Sequence, residues 1–151
     1  MKRMISCIML VVLVLTMLPA VVFATDVHET VVVCYDDGSY MTEAISEQGT
    51  RASGSKTGTK TRNYYNSNNE LMWKVVLTGK FTYTGSSATC TSSSISATVY
   101  NSEWYTVSKS SSKTSNKAKG TAVMGQKILG VTVDKVQADL TLTCDANGNL
   151  S

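Results

Sequence analysis

The sequence predicts an all-β protein: an antiparallel two-sheet sandwich of about eight strands that follows a cleaved N-terminal signal peptide. Three observations carry this expectation. Apolar and polar residues alternate with a period of two through Leu71 to Thr84 and again through Lys135 to Cys144, the pattern of strands with one buried face. Serine and threonine make up more than a quarter of the chain after residue 24 and are interleaved with Val, Leu, Tyr and Trp, which suits half-buried strands rather than disorder. No stretch carries a convincing helical periodicity, and the chain's only proline, Pro19, lies in the leader.

The leader spans residues 1–24. Lys2 and Arg3 supply a positive start, Met4 to Leu18 is almost wholly apolar, and Val22-Phe23-Ala24 places small residues where a signal peptidase reads them. The expectation is export, with a mature chain beginning near Thr25. A membrane anchor would need about 20 apolar residues, but Thr16 and Pro19 interrupt the run, and no second apolar span or cell-wall sorting signal follows. Stable membrane insertion is therefore not expected, and Cys7 leaves with the leader. Once Lys2 and Arg3 are removed, 12 of the 14 basic residues remain against 11 acids. Overall charge thus selects no partner, and nothing suggests nucleic acid. Its distribution is uneven: acids fill residues 25–50, whereas Arg51 to Lys127 is basic apart from Glu70 and Glu103. The sequence divides into an acidic hairpin over 25–50 and a sandwich body over 51–151, together one domain.

Val31 to Tyr35 is β-branched and aromatic, and Asp37-Gly38 is a strong hairpin signal. A two-residue loop there would pair Tyr35 with Tyr40 and Cys34 with Met41 as the chain returns through Ser39 to Glu47. Gln48 to Lys60 reads as a linker of Gly, Ser, Thr and Lys, with a strand starting near Thr59 and ending at Tyr65. Asn66-Ser67-Asn68-Asn69 is a turn by composition. In Leu71 to Thr84 the odd positions Trp73, Val75, Leu77, Phe81 and Tyr83 form the buried face. Gly79 is expected to be a bulge or bend between sheets. Strands follow at Ala88 to Ser92, Ile95 to Tyr100, Trp104 to Lys113, Ala118 to Ile128 and Val133 to Cys144, the last with Val136, Ala138, Leu140, Leu142 and Cys144 facing the core.

Cys34, Cys90 and Cys144 remain after cleavage, in an oxidising compartment. The reading favours a Cys90–Cys144 disulfide, because both lie in well-patterned strands. A buried free thiol at any of the three is the alternative, and Cys34 is either buried opposite Met41, the favoured expectation, or available for an intermolecular link. The order Cys90, Trp104, Cys144 is similar to that of an immunoglobulin sandwich. Leu142 stands where that domain has its corner tyrosine, however, and only seven residues follow Cys144. This favours a generic sandwich over true membership.

The segments Leu71-Met72-Trp73-Lys74-Val75, Thr78-Gly79-Lys80-Phe81-Thr82-Tyr83-Thr84-Gly85-Ser86-Ser87-Ala88-Thr89-Cys90 and Leu140-Thr141-Leu142-Thr143-Cys144-Asp145-Ala146-Asn147-Gly148-Asn149 resemble a group of small, functionally uncharacterised exported proteins of Gram-positive bacteria. The resemblance runs from about Asp37 to the end. It implies an exported all-β bacterial protein and transfers no activity and no functional residue.

The residue inventory argues against catalysis. His28 is the only histidine and lies too near the expected mature terminus to serve a triad. Asp36 and Asp37 read as turn residues, and no histidine or cysteine pair stands at metal-ligand spacing. Asp145 to Asn149 echoes a calcium loop but lacks its closing Glu. No catalytic, cofactor-binding or metal-binding residue, and no cofactor, is expected. Two surface features remain as binding candidates: the aromatics Tyr64, Tyr65, Trp104 and Tyr105 beside turns, with one of each neighbouring pair expected in the core, and a basic series. That series is Lys56, Lys60, Arg62, Lys74, Lys80, Lys109, Lys113, Lys117, Lys119 and Lys127, which could meet anionic wall polymers or phospholipid headgroups or act only as solvated strand faces and edge protection. The favoured function is a secreted non-enzymatic protein that binds a cell-wall polymer, a glycan or a surface protein. The alternatives are a bacteriocin-like or membrane-active antagonist and, last, an enzyme using Asp36, Asp37, Glu70 and Glu103.

Overall fold

A computed structural model describes residues 29–48 and 54–151. The expected export leader, Cys7 and His28 lie outside these residues. Eight strands and no helix make up the described chain: β1 Thr30–Cys34, β2 Tyr40–Gln48, β3 Ser55–Tyr65, β4 Leu71–Tyr83, β5 Ala88–Val99, β6 Trp104–Thr114, β7 Lys117–Ile128 and β8 Val131–Thr143. They form two antiparallel sheets, one of five strands ordered β1-β2-β3-β4-β5 and one of three ordered β6-β7-β8. Both sheets are meanders, so the likeness to an immunoglobulin domain stops at two packed layers. The acidic hairpin is part of the larger sheet, since β2 pairs with β3 from Tyr40 opposite Tyr65 to Gln48 opposite Thr57.

The core lies between the layers. From the larger sheet Trp73, Val75, Leu77 and Phe81 point inward, and from the smaller one Ala118, Ala122, Met124, Ala138, Leu140, Leu142 and Cys144 meet them, all at most 2% exposed. Burying each large side chain stabilises the fold by about 1.5–3 kcal/mol. The facing alanines and Gly120 let the sheets approach, and the Ile95 and Leu77 methyls lie over Gly120. β8 packs over β3 and β4, β7 over β4 and β5, and β6 over β5. The second sheet therefore leaves β1 and β2 uncovered. There the inward face turns from apolar to charged: Glu43 takes Lys60 at 2.8 Å and also Arg62, and Glu47 takes Lys56 at 3.0 Å.

Four sequence expectations change. The segment Ser55 to Lys60 is not a linker but the first half of β3, paired on both flanks. Its buried-face positions are Lys56, Gly58 and Lys60, which satisfy the site by ion pairing and by leaving room for the Leu150 side chain over Gly58. The Asp37-Gly38 loop is longer than two residues: the Tyr35 N–H donates to Ser39 O and the Gly38 N–H to Tyr35 O, with only Gly38 at positive φ. This pairs Cys34 with Tyr40 and Val33 with Met41. The one-residue shift turns Cys34 to the exposed side rather than the core. Gly79 is neither bulge nor bend. It stands in regular register opposite Gly58 and Ser93, beneath the Phe81 ring, and the irregularity falls on β5, where Thr91 is the extra residue between Cys90 and Ser92. Finally, the segments Ala88 to Ser92 and Ile95 to Tyr100 are one strand, β5.

Candidate functional site

The four candidate aromatics divide between core and surface. Tyr64, 7% exposed, stacks on Trp73 at 5.1 Å and 9°, meets Trp104 at 5.1 Å, and donates its hydroxyl to Ser39 Oγ at 3.0 Å. Trp104 is 6% exposed, so both are packing groups that seal one end of the sandwich. Tyr65 lies on the outer face of the larger sheet, stacked on Tyr40 at 5.1 Å. Tyr105 lies on the outer face of the smaller sheet, where its ring covers Gly125 and its hydroxyl is 2.9 Å from Thr132 Oγ1. The structure thus joins Tyr64 with Trp104 only inside the core, and separates Tyr65 from Tyr105 on opposite faces. No shared aromatic binding surface exists among them.

The basic series also divides. Lys56 is ion-paired with Glu47, and Lys60 and Arg62 share Glu43. Burial pushes the Glu43 carboxyl up, but hydrogen bonds from Lys60 and Arg62 outweigh it and hold the group below its ordinary range. Lys109, Lys113, Lys117 and Lys119 instead cluster on the β6–β7 hairpin, with no carboxylate in salt-bridge range among the described residues. Lys113 Nζ donates to Thr91 O at 2.7 Å and Ser111 Oγ to Ser93 O at 3.3 Å, closing the gap between the β5 and β6 edges. Beside them a shallow depression of about 270 Å³ is lined by Ser110, Ser111, Ser112, Lys119, Gly120 and Thr121. β6 is exposed on both faces from Thr106 to Thr114. The outer face of this hairpin carries Ser110, Ser112, Lys117 and Lys119, hydroxyls and ammonium groups able to donate hydrogen bonds to an oxygen-rich anion, with Thr121 giving its hydroxyl to Asp139 Oδ1 at 2.7 Å, while Lys109 and Lys113 lie on the other face.

Asp37, Glu70 and Glu103, three of the four carboxylates weighed for catalysis, take structural roles. Asp37 Oδ1 accepts from the Ser39 hydroxyl and backbone N–H, which keep its carboxyl below the usual range. Asp145 organises the last turn, accepting from the side chain and backbone of Asn149 and from the Asn147 N–H, and is likewise lowered. Glu70 accepts from Asn66 Nδ2 and Glu103 from Gln126 Nε2. Among the described residues no group of three His, Cys, Asp or Glu side chains is placed to hold a metal.

The Cys90–Cys144 bridge is not formed in this structure. Both residues are buried thiols, Cys90 donating to Ser92 O at 3.3 Å and Cys144 to Asp145 O at 3.5 Å. The β6–β7 turn lies between their strands, the Cys90 N–H donating to Ser115 O and the Cys144 N–H to Asn116 O. Burial pushes both thiols up, which suppresses the thiolate that exchange requires.

One exposed feature escaped the sequence reading. The β7–β8 turn is the two-residue loop Leu129-Gly130, with φ of 51° and 81°, closed by Ile128 opposite Val131. Leu129 is 100% exposed, and Ile128, Val131 and Val133 are also exposed. A Leu-Gly turn between lysines was the available signal, hidden because Ile128 and Val131 fit an ordinary strand pattern.

No protein-family model matches the chain, and neither the curated proteins nor the solved structures contain a match to it.

Proposed function

We propose that this chain is an exported, non-enzymatic protein that binds an anionic component of a cell envelope or host surface through the β6–β7 face. The observation that carries the reading is the hydroxyl- and lysine-lined depression of about 270 Å³ at Ser110, Ser112 and Lys119, with Lys117 on the same face of the hairpin. A wall polymer rich in phosphate and hydroxyl groups presents the complementary acceptors, and several weak contacts along a repeating chain add up by avidity. Export is expected from the leader in residues 1–24. The non-enzymatic reading rests on carboxylates committed to turns and side-chain pairing.

The test is a pull-down of purified mature protein on isolated Gram-positive cell wall, with and without its anionic polymer. Binding should fall at least tenfold when Lys117 and Lys119 are changed to Gln, and should weaken as salt rises. Equal retention of wild type and variant, or equal retention on stripped wall, would refute the assignment of this face. In the oxidising exterior we further propose that Cys90 and Cys144 join as a disulfide, fixing β5 to the end of β8.

A further inference from the structure

We propose that the β7–β8 hairpin tip docks into the interfacial region of an anionic phospholipid bilayer. Four apolar side chains, Ile128, Leu129, Val131 and Val133, are exposed together at the end of the two longest strands of the smaller sheet. Leu129 occupies the first position of a turn that requires positive φ, at 51°. A leucine there is strained where Asn, Asp or Gly would not be. The strained choice gains no contact within the fold, since the side chain is 100% exposed. Its chemistry suits an environment outside the chain.

The groups behind the tip are arranged by depth. Cross-strand partners Lys127 and Thr132 share one face of the hairpin, and the next pair, Ile128 and Val131, shares the other. On the first face Lys127 Nζ sits 4.4 Å over the Tyr105 ring, whose hydroxyl meets Thr132 Oγ1 at 2.9 Å. Lys135 stands further down the same hairpin, with Asp134, whose Oδ1 accepts the Lys135 N–H, and Glu103, which accepts from the Gln126 side chain and the Lys127 N–H, as the acids below the tip. An apolar apex followed by a tyrosine and two lysines matches the gradient from acyl chain to anionic headgroup. Val133 is the extra residue of a bulge between Thr132 and Asp134, so the tip departs from the plane of the sheet below it.

The inference rests on export to the envelope and adds a second contact to the wall-binding face. It is tested by co-sedimentation of the mature protein with phosphatidylglycerol/phosphatidylcholine vesicles and with phosphatidylcholine vesicles. Wild type should sediment with the anionic vesicles and at least tenfold less with the neutral ones. Leu129→Asn should cut anionic-vesicle binding at least tenfold without lowering the melting temperature, because Asn tolerates the turn better. The combined Lys117→Gln, Lys119→Gln variant should keep vesicle binding, so failure of the wall-binding face and failure of the tip give separate results. The proposal is overturned if wild type does not sediment with anionic vesicles or if Leu129→Asn sediments as wild type does. It is also overturned if ultracentrifugation shows a wild-type dimer that Leu129→Asn dissolves, which would make the tip a self-association surface.

Discussion

Gly79→Ala tests how tightly the two sheets are seated. A methyl group at this position would lie 2.6 Å from Phe81 Cε2, 2.7 Å from Phe81 Cζ and 3.0 Å from Ala118 Cβ. Phe81 is 1% exposed and Ala118 is 0% exposed on the opposite sheet, so the ring cannot swing into solvent and the alanine moves only with its backbone. Overpacking of this kind costs about 1–3 kcal/mol. Replacing glycine in a strand returns about 0.5–1 kcal/mol through the unfolded chain. The net destabilisation is about 1–2 kcal/mol, a fall in melting temperature of roughly 4–8 °C for a chain of this size. Thermal unfolding followed by far-ultraviolet circular dichroism measures it. Phe81→Leu on the Gly79→Ala background should cost less than Phe81→Leu alone by about 1 kcal/mol, because it removes the clashing ring edge. If Gly79→Ala melts at or above wild type, or if the two substitutions are additive, the tight glycine-ring contact is not what fixes this residue.

Three further outcomes are expected. Leu142→Ala, at a fully buried position facing β3 and β4, should lower stability by about 3 kcal/mol with an unchanged denaturant slope, read from urea titration. The Glu43 carboxyl is held below its ordinary 4.5 in the folded state, so its stabilising contribution is complete above that value and disappears as pH falls through the folded pKa. Urea midpoints measured down the acid limb should show this loss, and Glu43→Gln should flatten it. Refolding the reduced protein in a glutathione redox buffer, where the thiols are exposed before they are buried, should give a two-proton mass loss and a peptide linking Cys90 to Cys144, with a gain of up to about 4 kcal/mol on the chain-entropy account of disulfides. Recovery of both as free thiols in oxidised, exported material would remove the bridge.

Most of the fold is legible because β4, β7 and β8 bury one apolar face, and burial then writes its period of two into the sequence. β3 is not legible in the same way. Its core-side residues include Lys56, Lys60 and Arg62, whose acceptability depends on Glu43 and Glu47 from the strand before, and a Gly58 whose value depends on Leu150 at the far end of the chain. Such non-local satisfaction leaves no local pattern. The exposure of Cys34 turned on one residue of loop length, since a register slip exchanges the two faces of a strand. Of the candidate site, the split of each aromatic pair between inside and outside was readable from alternation. The sorting of the lysines into paired and unpaired groups was not, because it follows from which acids the sheet order brings alongside.

Among the described residues the strands pass from one layer to the other once, through Tyr100 to Glu103, where Met72 O accepts the N–H groups of both Tyr100 and Asn101 and the Asn101 side chain accepts from the Glu103 N–H. Every strand pairing is thus made between sequence neighbours. Each half can zip up hairpin by hairpin with small loop-closure cost, leaving the docking of two preassembled leaves as the long-range step. A chain severed at Ser102 therefore yields two pieces with complete strand ladders, joined by side-chain packing and by a few hydrogen bonds such as Cys90 N–H to Ser115 O and Gly85 N–H to Ala146 O. Such a sandwich should reach its native state faster than one whose strands must first be interleaved from distant parts of the polypeptide.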